Sequence, residues 1–156
     1  MQLETAETLA PKATDVELAR ALLFATPQAT CVAVRNDEVL ISRERGVRPL
    51  LSWISEGRDL RGFSVADKVV GKAPALLYAV LGPVAVFAPV MSRDARATLL
   101  ANQIACGYDE LVEQISNRTG DGQCPMDASV ANVFDPYEAT GVIRRRARAM
   151  AAATAA

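Results

Sequence analysis

Apolar residues along this chain recur at two periods, and the switches between those periods mark its elements. Thr14 and Glu17 have capping-box spacing, and Val16, Ala19, Leu22 and Leu23 then form a stripe that predicts a helix over 15–24. Residues 30–35 alternate, Asn36-Asp37 supplies a turn, and Val39 to Ile41 resumes an apolar run, so a β-hairpin is expected there. An arginine-rich connection over 42–49 leads to a short apolar segment with Leu50, Leu51, Trp53 and Ile54, and 57–62 reads as a loop.

Ser64, with Asp67 three residues on, is expected to cap a helix whose Val65, Val69, Ala73, Leu76, Leu77 and Val80 bury one face. Pro74 would lie inside that helix, remove the bond to the Val70 carbonyl, and kink or split it. Gly82-Pro83 ends the element, and Val84 to Val90 is dense enough for a strand covered on both faces. Ser92 caps a following helix in which Ala97, Leu100, Ala101 and Ile104 share a face and Gly107 is the stop. A short helix is expected near 109–115, then a loop over 117–123. Pro125 and Pro136 stand where first helical positions would be. Helices alternating with strands imply an α/β fold, with a mixed, partly parallel sheet and helices on both faces. The division expected is a flexible leader over 1–14, a single domain over 15–141, and a basic, alanine-rich tail over 142–156 that frays from 147.

Composition narrows the picture. A chain of 156 residues with 51% hydrophobic and 22% charged residues can bury a core without disulfides or structural metal. The uncharged stretch 73–91 approaches the length of a membrane span, but Pro74, Gly82, Pro83 and Pro89 interrupt it, so no membrane is expected. Three widely spaced cysteines, Cys31, Cys106 and Cys124, and a start without a basic, apolar signal fit reduced thiols in a cytoplasm. Four arginines and no acid fall in 142–156, which leaves 13 basic against 18 acidic residues elsewhere, or −5. An acidic body is a poor nucleic-acid platform.

Candidate chemistry gathers in three stretches. Asp67, Lys68 and Lys72 would lie at a helix start, where outward amides suit an anion, or they would simply cap and solvate it. Ser92 stands where the buried strand hands over to a helix, the place where α/β sheets bind ligands, and capping alone would also explain it. Arg118, Gly120, Asp121 and Gly122 form a glycine-rich turn before Cys124, whose thiol would gain acidity at a Pro-started helix. The chain has no histidine, so lysine, arginine or the helix dipole would have to assist such a nucleophile.

Taken together, residues 42–50, Ala66 to Ala73, Val90-Met91-Ser92, Asn117-Arg118, Gly120 to Gly122 and Cys124-Pro125-Met126 resemble the domain of unknown function 1893 family. The resemblance runs from about 30 to 140, with Pro74 standing where the family favours alanine. It implies a three-layer, cytidine-deaminase-like fold and no settled activity. Zinc deaminases carry His-x-Glu on one helix and Pro-Cys-x-x-Cys at a strand-to-helix junction, which here would fall near Asp67 and Ser92. Neither place offers a histidine or cysteine, so neither metal nor other cofactor is expected. Three functions follow. One is a domain binding a small anionic or nucleotide-like ligand through Asp67, Lys68, Lys72, Ser92, Arg118, Gly120 and Gly122. Another is a metal-independent enzyme with Cys124 as nucleophile and Asp121, Asp67 or Lys68 moving protons. The last is a scaffold, for which the resemblance suggests a homo-oligomer.

Overall fold

The computed structural model describes residues 14–155. Most of the expected leader therefore lies outside the described residues. Helix α1 (Asp15–Ala25) begins with the full capping box, Thr14 and Glu17 each accepting the other's backbone N–H. Strands β1 (Cys31–Arg35) and β2 (Glu38–Ser42) form the hairpin, and the apolar segment that follows is helix α2 (Arg48–Ser55).

The helix expected from Ser64 is a strand. Ser64–Asp67 forms β3 and Val69–Val70 forms β4, successive stretches that pair with β5 (Ala85–Ser92). Helix α3 (Lys72–Leu81) starts only after Gly71. Helical spacing at Val65 and Val69 gave way to tertiary pairing, because Ser64 to Ala66 bond to β1 on one side and β5 on the other. Pro74 is consequently the third residue of α3, where a backbone N–H has no intrahelical acceptor, and α3 runs unbroken. Gly82 ends it in the left-handed conformation (φ 75°), its N–H bonding to the Tyr78 carbonyl.

Ser92 caps α4 (Arg93–Ala101) as expected, but the buried positions are Ala95 and Leu99. The helix stops at Asn102 and Gln103 (φ 59°), well before Gly107. Residues 105–112 are strand β6 rather than the end of a helix and a new one, since β5 supplies a parallel ladder from Ala85–Ala105 to Ser92–Val112. Helices α5 (Pro125–Ser129) and α6 (Pro136–Ala155) both begin at their prolines. The segment 142–156, expected as a basic tail that frays from 147, continues α6 through Ala155, and Ile143 at its start is fully buried.

The six strands make one mixed sheet, with β1 antiparallel to β2 and β3, and β3, β4 and β6 parallel to β5. Pro89 has no N–H to donate, so the ladder skips it opposite Lys68 and resumes at Val69–Val90. Helix α1 covers Val32, Val34, Ala66 and Phe87 on one face, and the remaining helices bury Ala33, Val65, Val86 and Ala88 on the other. No helix among the described residues is long and apolar enough to cross a membrane.

Because Ile143 fills the core between α6 and its neighbours, Ile143→Ala lowers unfolding stability by about 2–5 kcal/mol. Urea denaturation measures this, and a change under about 0.5 kcal/mol, the size of an ordinary surface substitution, would mean that α6 is an appendage.

Candidate functional site

Parallel pairing of Val70 with Met91 puts the ends of β4 and β5 level, so α3 and α4 begin side by side, at Gly71 and Ser92. Onto this edge the chain brings α5. The Asp127 Oδ1 accepts the Ala73 N–H at 2.9 Å. This is one of the first amides of α3, which nothing within the helix could satisfy. Gly71 permits the approach, since a Cβ at that position would stand 1.9 Å from Asp127 Oδ2. Burial raises the Asp127 pKa and the neighbouring Asp94 adds to the rise, outweighing the amide bonds and the Lys72 charge that lower it.

Lys72 is buried. Its Nζ donates to the Ala131 carbonyl at 2.8 Å and lies 4.5 Å from the centroid of the Phe134 ring. Lys68 is exposed at the break between β3 and β4, so the two ammonium groups do not share a helix face. The Ser92 Oγ accepts the Ala95 N–H at 3.1 Å and acts as the cap of α4.

Asp67 ends β3 inside the protein rather than in a helical turn. The Tyr78 hydroxyl donates to its Oδ2 at 2.7 Å, and Cys31 Sγ lies 3.3 Å from that hydroxyl. Tyrosine carries one proton, so while it donates to Asp67 the Cys31 thiol must be the donor to Tyr78. The Lys68 N–H beside it donates to the Thr30 carbonyl at 3.3 Å. Burial nevertheless pushes its pKa up to about 7, against the bonds that favour the ion, and it pushes those of Cys31 and Tyr78 upward too. Among the described residues no fully buried side-chain nitrogen or oxygen lacks a hydrogen-bond partner.

The glycine-rich turn looks inward on itself. Asn117 Nδ2 donates to Asp121 Oδ1 at 2.9 Å, the Asp121 N–H donates back to Asn117 Oδ1, and Gly120 takes φ 75°. Bonds from Thr119 and Asn117 hold the Asp121 carboxyl below its ordinary range, in its ionised form. Arg118 is exposed on this turn, and Gly120 and Gly122 shape it. Its service to the site is positional. The Cys124 N–H closes the turn on the Ile115 carbonyl at 2.8 Å, which aims α5 at α3. Cys124 itself is half-buried against the core at the head of a five-residue helix, too short for much of a dipole.

The stretches around Asp67, Ser92 and Cys124 thus converge, through Gly71–Ala73 and α5, while Arg118, Gly120 and Asp121 remain on the turn. Three participants went unread in the sequence: Cys31, Tyr78 and Asp127. Asp127 left a signal, an acid in the first turn of a Pro-started helix, directly after the quoted Met126. Cys31 and Tyr78 left none, because their contact spans 47 residues. Among the described residues no group of three or more His, Cys, Asp or Glu side chains could hold a metal. Open grooves lie elsewhere, one between α2 and α6 and one at the β1–β2 turn.

This is a mixed α/β domain with its candidate site at the carboxyl ends of neighbouring parallel strands. The chain belongs to the DUF1893 family, a domain of unknown function (TM1506), which it matches over residues 20–146. Its fold is similar to the crystal structure of a DUF1893 family protein (TM1506) from Thermotoga maritima. The two superpose with a TM-score of 0.76 at 20% identity, over 94% of this chain and 97% of that one, a likeness of fold alone. No curated protein matches the chain.

Two outcomes follow from this geometry. The fold holds the Asp67 proton more tightly than the unfolded chain, so Asp67 contributes stability that is complete below about pH 4 and lost as pH rises toward about 7. Asp67→Asn, uncharged throughout, removes that loss. The stability of the native protein minus that of the variant, from urea unfolding at stepped pH, falls across this window and levels above it. A flat difference contradicts a buried proton at Asp67. Separately, Gly71→Ala forces the Asp127 carboxylate off α3 and costs about 1–3 kcal/mol by thermal or urea unfolding. An unchanged midpoint would mean that the contact is slack.

Proposed function

We propose that this chain is a zinc-free domain of cytidine-deaminase-like fold that binds a small anionic or nucleotide-like ligand at the head of α3. The observation that carries the reading is the seat of Asp127. The edge where β4 and β5 end already holds a carboxylate on the Ala73 amide, with the Lys72 charge near enough to lower its pKa. Ligands of open α/β sheets bind at the carboxyl ends of strands, and oxyanions favour helix N-termini. The deaminase-like part of the reading is supported by the hairpin-first sheet, with its parallel strands and two helices starting at their ends.

The zinc of that fold does not fit here. Gly71, Lys72 and Ala73 open one helix, and Ser92, Arg93 and Asp94 stand at the other, a set without a nitrogen or sulfur ligand for zinc. Recognition therefore rests on amides and cations.

Lys68 is the exposed cation nearest in sequence to the head of α3, and no ion-pair partner holds it among the described residues, whereas Arg93 at the start of α4 pairs with Glu113. A panel of phosphate, nucleotides, nucleobases and small carboxylates is expected to contain a compound that raises the melting temperature of the native protein, by mass action on the folded state. Lys68→Ala abolishes the rise while shifting the unliganded stability by less than about 0.5 kcal/mol. A panel that shifts nothing, or a rise indifferent to Lys68, removes the reading.

A further inference from the structure

We infer that β2 is an interface between two copies of this chain, the two strands pairing antiparallel across a two-fold axis so that one sheet runs through both. Two full-length edges of the sheet are free among the described residues, β2 and β6. Edge strands ordinarily discourage a partner with charge. β6 does so, with Asp109 and Glu110 exposed in mid-strand. β2 carries a single charge, Glu38, and Arg35 pairs with it. Val39 and Ile41 instead stand 40% and 39% exposed. They lie opposite Val34 and Val32 in the ladder, hence on the face of α1, which packs over β1, β3 and β5 without covering them.

The strand is complementary to itself. Its two-residue turn closes on the Arg35–Glu38 pair, so Glu38, Leu40 and Ser42 bond back to β1, and the amides and carbonyls of Val39 and Ile41 point off the sheet. A second copy centred on Leu40 sets Val39 opposite the partner's Ile41, where those groups exchange hydrogen bonds. On the same face the register sets Asp37 opposite the partner's Arg43. Both residues are exposed, and neither has an ion-pair partner among the described residues. Arg43 Nε donates to the Pro27 carbonyl at 3.1 Å, which holds its stem on the α1 side. On the opposite face Glu38 meets the partner's Ser42, so no like charges oppose. Five residues are a short edge for an interface, and the dimer therefore dissociates on dilution.

Analytical ultracentrifugation of the full chain across a dilution series tests this. The average mass is expected to rise from one chain to two, with the Val39 and Ile41 amides protected from hydrogen exchange in the dimer and unprotected on dilution. Ile41→Lys, at an exposed position that leaves the fold intact, weakens association about tenfold or more. Asp37→Arg or Arg43→Asp alone sets like charges opposite one another at both ends of the pairing and weakens it as well; the two together restore it. A monomer at every concentration overturns the interface, and protected Val39 and Ile41 amides in that monomer assign the edge to a segment of the same chain. A dimer indifferent to Ile41→Lys, or charge reversals that the double variant does not rescue, places the contact elsewhere and overturns it equally.

Discussion

The head of α3 is the point on which the remaining architecture turns. A helix that begins at the buried end of a sheet strand carries amides with no partner of their own and no water to serve them. This chain answers with a carboxylate from 54 residues away. The answer has requirements. Gly71 must lack a side chain, the 117–123 turn must deliver α5 at the right height, and Met126 and Val130 must anchor it. The 117–123 turn and α5 together bring Asp127 to the Ala73 N–H.

A second consequence of burial lies one strand residue group earlier. Asp67, Tyr78 and Cys31 form a short row of hydrogen bonds in a place where charge is costly. The Tyr78 hydroxyl on the carboxylate does not offset its removal from water, so its pKa is pushed up to about 7. Two buried carboxyls with raised pKa values therefore stand in this domain, Asp67 at the end of β3 and Asp127 in α5 against Gly71 and Ala73. Raised carboxyls at strand ends are common at functional sites, because the same burial that disfavours the ion also shields a ligand from water.

Where a metal-dependent pocket needs soft ligands at two helix starts, this chain has glycine, lysine and alanine at one and a capping serine at the other. The polar groups there are matched to one another.

Local chemistry was legible wherever a residue and its partner are neighbours in sequence. The Thr14–Glu17 capping box, the Asn36-Asp37 hairpin, the Gly82 stop, the Ser92 cap and the prolines opening α5 and α6 could all be read from the letters. So could the mixed α/β class. What escaped was decided by partners far along the chain. Residues 64–67 and 105–112 have ambiguous patterns, and they became strands because β1 and β5 offered ladders that a helix would have left unpaired. Pro74, alarming in mid-helix, is harmless once the helix starts at Lys72. Asp67, chosen as a capping acid, is instead a buried acceptor for Tyr78, and the Ala73 amide fell to Asp127. Periodicity and caps are local properties of a chain. Strand pairing, burial and the seat of a carboxylate depend on what folding brings alongside.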